Sequence, residues 1–156
     1  MMKGDQKVLS YLNQVLAKEL SARDQFFIHS KMYEDWGYHK LHARIAHEME
    51  DEQEHARLII ERILYLGGTP EMSSGVSLKI GKSVEDMLKN DLEFEYNVAK
   101  LLKEAIEYCE SVKDFTTSHL FIRLLKDTEE DHTHWLEQQL GHIERLGLPN
   151  YLMTCV

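Results

Sequence analysis

The sequence predicts an all-α chain: a bundle of four long helices with one long crossover and a short apolar tail at the C-terminus. Three observations carry this expectation. Apolar residues recur at three- and four-residue steps through four stretches of roughly thirty residues, the stepping of helices that each bury one stripe. Both prolines and most glycines fall between those stretches. Each stripe is broken near its midpoint by a glutamate, so elements of similar length packed side by side would bring four carboxylates to one level.

Asp5 is suited to cap a first helix that runs to about Asp35 and stops at Gly37, with Leu9, Leu12, Leu16, Glu19, Phe26 and Tyr33 on its buried stripe. A second helix is expected from about Tyr38 to Leu66, ended by Gly67-Gly68, with Ile45, Met49, Ala56, Ile59, Ile63 and Leu66 buried around Glu52 and His55. The stretch from Thr69 to Lys82 holds Pro70, Ser73-Ser74-Gly75 and Gly81, has no helical period, and reads as an irregular crossover. Ser83, with Asp86 three residues on, resembles a capping box and opens a third helix. Its stripe is Leu88, Leu92, Glu95, Ala99, Leu102, Ile106 and Cys109. The short polar link Glu110 to Asp114 makes the fourth helix an antiparallel neighbour of the third, with Ile122, Leu125, Glu129, His132, Leu136, Leu140 and Ile143 inward. Gly147 and Pro149 break the chain before the tail Asn150 to Val156, whose Tyr151, Leu152 and Met153 should seek an apolar neighbour. Residues 1–156 read as one domain.

A net charge of -9 argues against a nucleic-acid or anionic-membrane partner and suits attraction of cations. Five of the seven residues from Glu48 to Glu54 are acidic, which concentrates that attraction on the second helix. Cys109 and Cys155 lie far apart without a Cys-x-x-Cys spacing, as expected of a reducing, cytoplasmic compartment. The N-terminal residues are mixed and charged, unlike a secretory signal, and no apolar run approaches a transmembrane length.

The polar interruptions carry the chemistry. Glu52 and His55, three apart, share a helix face and can close on one cation. Glu129 and His132 repeat that offset, and the separations Glu19 to Glu52 and Glu95 to Glu129 are 33 and 34 residues, so two halves supply matching sets. Four carboxylates with two neutral imidazoles in a dry core are balanced by two divalent cations. Oxygen and nitrogen donors without thiolate suit iron or manganese over structural zinc. One glutamate on a helix face is ordinarily solvated; six such residues at one level are a metal centre. The expected ligands are therefore Glu19, Glu52, His55, Glu95, Glu129 and His132.

These motifs, Glu19, Glu52-x-x-His55, Glu95 and Glu129-x-x-His132 on four helices with one crossover, resemble the di-iron pattern of ferritin-like proteins, and the doubled Glu-x-x-His resembles bacterioferritins. The likeness runs from Met2-Lys3-Gly4-Asp5 and Asp35-Trp36-Gly37, through Glu61-Arg62-Ile63-Leu64 and His134-Trp135-Leu136-Glu137, to Gly147-Leu148-Pro149-Asn150-Tyr151-Leu152. It implies a ferritin-like four-helix bundle whose tail is a short C-terminal fifth helix, and a shell of twenty-four subunits that oxidises Fe²⁺ with O₂ or H₂O₂ and stores a ferric mineral. It also implies that Glu52 and Glu129 bridge two irons, with Glu19 and His55 terminal on one and Glu95 and His132 on the other.

Two departures from the family pattern matter. The methionine by which bacterioferritins hold haem is Gln53 here, a poor axial ligand, so haem is not expected from this chain alone. That resembles the ferroxidase-type subunit of mixed shells, completed by a haem-binding sister chain. Phe26 stands where related chains often carry a tyrosine, which leaves Tyr33, Trp36 or Trp135 for any radical role. His47 and Asp51, one turn apart, are candidates for an additional iron on the cavity side, and Asp51 for an acceptor orienting His132. His29, His39, His42, His119, His134 and His142 fit no shared face and are expected at the surface. Two other readings stand beside iron storage: a rubrerythrin-like di-iron peroxidase or oxygenase, which usually adds a Cys-x-x-Cys domain absent here, and a structural subunit with an idle metal site.

Overall fold

The computed structural model of the chain describes residues 4–71 and 77–156. Met2 and Lys3 of the N-terminal likeness and Ser73-Ser74-Gly75 of the crossover lie outside the described residues. Asp5 caps the first helix, α1 (Gln6–Asp35): its Oδ1 accepts from the Lys7 and Val8 amides at 2.8 and 3.1 Å and from the Tyr108 hydroxyl at 2.9 Å. The chain reverses at Gly37, whose φ of +84° only glycine adopts cheaply, and α2 runs His39–Tyr65. Ser83 Oγ accepts from the Asp86 amide at 3.2 Å and opens α3 (Val84–Ser111). Asp114 caps α4 (Phe115–Lys126) through the Thr117 amide at 3.1 Å. A π-helical segment, Asp127–Thr133, joins α4 to α5 (His134–Leu146), and the three form one rod. The tail adds α6 (Leu148–Met153), whose Tyr151 is buried with its hydroxyl on Gln139 Oε1 at 2.7 Å. The crossover adds no helix among the described residues.

Side by side, α1 packs on α2, α3 on the fourth rod, and α1 on α3. Most of the expected stripes of α1 to α3 are buried, with Leu12, Leu16, Phe26 and Tyr33 from α1, Ile45, Ile59 and Ile63 from α2, and Leu88, Leu102 and Cys109 from α3 at 1% exposure or less, while Leu9, Met49, Leu92 and Ile106 are half-buried at the edge of the core. No helix is long and apolar enough to cross a membrane among the described residues.

The fourth rod differs from expectation. From the end of the π segment onward His132, Leu136 and Ile143 are buried as read from the sequence, and Leu140 is half-buried. Before His132 the buried stripe includes Phe121, Leu124 and Thr128, one position before the expected Ile122, Leu125 and Glu129. The cause is the π segment, whose wider turn accommodates one extra residue and so shifts the phase of everything before it.

His29 also corrects the surface assignment, since it is fully buried. Its Nε2 accepts from the Gly81 amide at 3.1 Å, which leaves Nδ1–H to donate to Asp91 Oδ1 at 2.8 Å. Gln25 Nε2 donates to the same oxygen at 2.8 Å, and Gln25 Oε1 accepts from the Lys79 amide at 3.0 Å. This network fastens the end of the crossover to α1 and α3. His39, His119, His134 and His142 are exposed as expected, and His42 is half-buried on the Ser30 carbonyl at 2.8 Å. Removing His29 strips a buried carboxylate of a donor, so His29→Ala is expected to cost about 3–5 kcal/mol in urea unfolding followed by circular dichroism. A shift in midpoint too small to distinguish from wild type would contradict the assignment.

Candidate metal centre

Glu19 of α1, Glu52 and His55 of α2, Glu95 of α3 and His132 of the π segment meet in the middle of the bundle, none more than 3% exposed. Their level follows from the capped starts and near-equal lengths of the helices. Ligand atoms of Glu19, Glu52 and His55 lie within 4.8 Å of one another, and so do those of Glu52, Glu95 and His132. Glu52 belongs to both groups and so stands between them.

The two imidazoles lie on either side of Glu52, ring centroids 6.3 Å apart and planes inclined by 19°. His55 Nδ1 is 2.7 Å from Glu19 Oε2 and 3.7 Å from Glu52 Oε2. His132 Nδ1 is 3.1 Å from Glu52 Oε1 and 3.6 Å from Glu95 Oε2. Both Nδ1 atoms thus face the carboxylates, while each Nε2 points out to an aspartate: His132 to Asp51 Oδ2 and His55 to Asp127 Oδ2, each at 3.0 Å. An acceptor behind an imidazole fixes its tautomer and presents the other nitrogen to a cation.

The donor set fits metal. Glu19 Oε1, both oxygens of Glu52, both of Glu95 and His132 Nδ1 are buried without an aligned hydrogen-bond partner, and buried polar atoms in that number call for a shared positive guest. Without a cation the charge balance falls to protons. Burial disfavours imidazolium at His55, but the Glu19 and Glu52 carboxylates outweigh it and hold the ring protonated up to about 11. Asp51, Glu52 and Glu95 likewise overcome burial and raise His132 far above the usual imidazole range. Burial, then Glu52, raises Glu19, whereas at Glu52 the two imidazoles overcome burial and lower it. Burial also raises Glu95. Divalent cations binding here would therefore displace protons.

Glu129 stands outside this cluster. Its carboxylate is on the exposed side of the rod, 3.0 Å from Lys103 Nζ, and the buried position facing the site is Thr128, whose hydroxyl donates to the Leu124 carbonyl at 2.8 Å. The π segment is again the reason: five of the six expected ligands converge and the sixth is one position out of phase. Asp51 does reach His132 as anticipated. His47 Nε2 is exposed and 3.6 Å from Asp51 Oδ2. Asp51, Asp131 and His132 form a further acidic group, but His132 already holds Asp51, and Arg44 holds Asp131 at 2.6 Å.

The sequence reading missed Asp127, Glu48 and Asp91. Asp127 was findable, because Asp51-Glu52 preceding His55 and Asp127-Thr128 preceding His132 are the same pattern with one residue added. Glu48 and Asp91 lie one turn before Glu52 and Glu95, both fully buried. Gln53, the position of the family's haem ligand, is exposed.

The ferritin-like domain family matches residues 9–146 of the chain. A bacterial ferritin of Synechocystis sp. is 53% identical over 153 residues, covering 98% of this chain and 98% of that protein. A bacterial ferritin of Neisseria meningitidis serogroup B is 53% identical over 98% of this chain and 99% of its own length. A bacterioferritin of Mycobacterium avium is 41% identical over 99% of this chain and 97% of its own.

Burial raises the Glu48 carboxyl to about 8, against the pull of His132 and Arg44. Arg44 Nε lies 3.3 Å from Glu48 Oε1, but its closer contact is with Asp131, and burial wins. The folded state then keeps a proton that the unfolded chain has lost, so Glu48 makes stability fall as pH rises from 4.5 to about 8. Glu48→Gln, neutral at every pH, is expected to flatten that part of the profile of Tm against pH and to be more stable than wild type at its alkaline end. An unchanged slope would contradict the assignment.

Proposed function

Because this chain belongs to the ferritin family, we propose that it stores iron and that its buried carboxylate and imidazole cluster is a ferroxidase centre oxidising Fe²⁺ to Fe³⁺. The observation that carries the reading is Glu52, a buried carboxylate shared by two groups of ligand atoms, with an imidazole on each side. Ferrous ions are the substrate. Glu19, Glu52 and His55 would hold one, and Glu52, Glu95 and His132 the other; Glu129 is the proposed sixth ligand. Each ion gives up one electron, and the pair reduces O₂ with two protons to H₂O₂, or H₂O₂ with two protons to two waters. His55 and His132 supply displaced protons as the cations bind; Asp51 keeps the vacated Nδ1 of His132 aimed at the metal, and Asp127 presets the His55 ring before the cations enter. Fe³⁺ then passes to the cavity. His47 and Asp51 are proposed as a stop on that path, drawing support from the acidic run Glu48 to Glu54.

The relatives named bacterial ferritin support a shell of many copies, which we propose to be a twenty-four-subunit homo-oligomer in the cytoplasm. Exposed Gln53 supports a subunit that binds no haem by itself and that can share a mixed shell with a haem-binding sister chain. One observation favours a second reading: with Thr128 inward and Glu129 outward, a structural subunit with an idle metal site would look the same.

Two measurements decide between them. In aerobic Fe²⁺ addition to the assembled protein, wild type is expected to give a fast phase of iron-oxidation absorbance that Glu52→Ala and His132→Ala lose; a fast phase unchanged in those variants, or absent from wild type, would overturn the ferroxidase assignment. Size-exclusion mass is expected at several hundred kilodaltons, whereas a small dimer would point to a rubrerythrin-like peroxidase.

A further inference from the structure

Resting on the di-iron reading above, we infer that the π segment is a movable phase stop: cation binding shifts it about six residues toward the N-terminus and exchanges Thr128 for Glu129 at the face opposite Glu52. The sequence of the fourth rod is written for both positions. Phe121, Leu124 and Thr128 form the stripe that is buried now. The residues immediately after them, Ile122, Leu125 and Glu129, repeat the apolar, apolar, polar order at the same spacing. Ile122 is 42% exposed, and Leu125 is half-buried at the edge of the core. If the wide turn moved to lie between Phe121 and Leu125, Leu125 would replace Leu124, an identical side chain, and Glu129 would replace Thr128. Phe121 before the move and His132 and Leu136 after it would keep their places. Both states contain one π segment, so the backbone irregularity is present in each.

Little holds the present phase. Glu129 is engaged by Lys103 in an exposed ion pair, a kind that contributes little to stability. Thr128 is satisfied within its own turn and offers nothing to the cluster. Asp127 would leave His55 Nε2, but the Thr128 hydroxyl would move into its place and can accept the same proton. Cations supply the opposing preference. Three buried carboxylates, Glu19, Glu52 and Glu95, leave two divalent ions with one uncompensated positive charge in a dry core, and Glu129 supplies the missing negative one. The centre is thereby built only when both metals are present, and Glu129 returns to the surface when they leave.

The test uses the assembled protein, freed of metal by a chelator and titrated anaerobically with Co²⁺, with bound ions counted and amide hydrogen exchange followed. Wild type is expected to take two Co²⁺ per chain, with amides of residues 127–133 gaining protection while those of 121–126 lose it. Deletion of Thr128 removes the spare residue and is expected to retain two Co²⁺ while abolishing the metal-dependent exchange change. Leu125→Asn leaves Leu124 in the metal-free core, places an amide in the moved stripe, and is expected to lose the second Co²⁺. Two Co²⁺ bound with unchanged exchange across 121–133, or bound by Leu125→Asn as tightly as by wild type, would overturn the phase shift and leave the di-iron reading standing. Failure of wild type to bind Co²⁺ would overturn both.

Discussion

The structure is governed by the electrostatic demand of Glu52, a carboxylate with both oxygens buried and no aligned hydrogen-bond partner, held between two imidazoles. A bundle of this size could close over leucines at that level. It encloses Glu19, Glu52 and Glu95 instead, and their mutual repulsion is relieved only by positive charge. Protons on His55 and His132 serve when no metal is present, and divalent cations serve better because each can touch several oxygens at once. The near-equal lengths of the helices, the aspartate and serine caps that start them, and the glycine turn at Gly37 all bear on this demand, since they set the level at which the midpoints meet.

The two halves of the bundle carry one design with a single discrepancy. Each imidazole shows Nδ1 to the carboxylates and is steadied from behind by an aspartate of the opposite half, Asp51 for His132 and Asp127 for His55. The discrepancy is the residue added between Asp127 and His132, which the rod absorbs as a π segment. Thr128 thereby occupies the position that corresponds to Glu52. In the proposed centre the sixth ligand, Glu129, is held one position away at the surface, where metal itself would have to recruit it.

Much of this was legible in the residues. Periodicity read most of the stripes of α1, α2 and α3 because each is an unbroken α-helix, and Gly37, Gly67-Gly68 and Ser83 marked their limits through turn and cap chemistry. Glu19, Glu52, His55 and Glu95 converge for the same reason, and His132 joins them from the C-terminal end of the π segment. Glu129 does not, because an inserted residue changes the phase of a helix without changing its composition, and Ile122 and Leu125 make as plausible a stripe as Phe121 and Leu124. His29, Glu48 and Asp91 escaped because each is a polar residue whose burial depends on neighbours from other helices. The Gly81 amide that holds His29, for example, lies 52 residues further along the chain.

The most direct test is anomalous diffraction from crystals of the protein loaded with Mn²⁺. Two peaks are expected in every subunit, one among Glu19, Glu52 and His55 and one among Glu52, Glu95 and His132, with Glu52 touching both. A single peak at Asp51 and Asp131, or none within the bundle, would contradict a paired-metal centre built on Glu52.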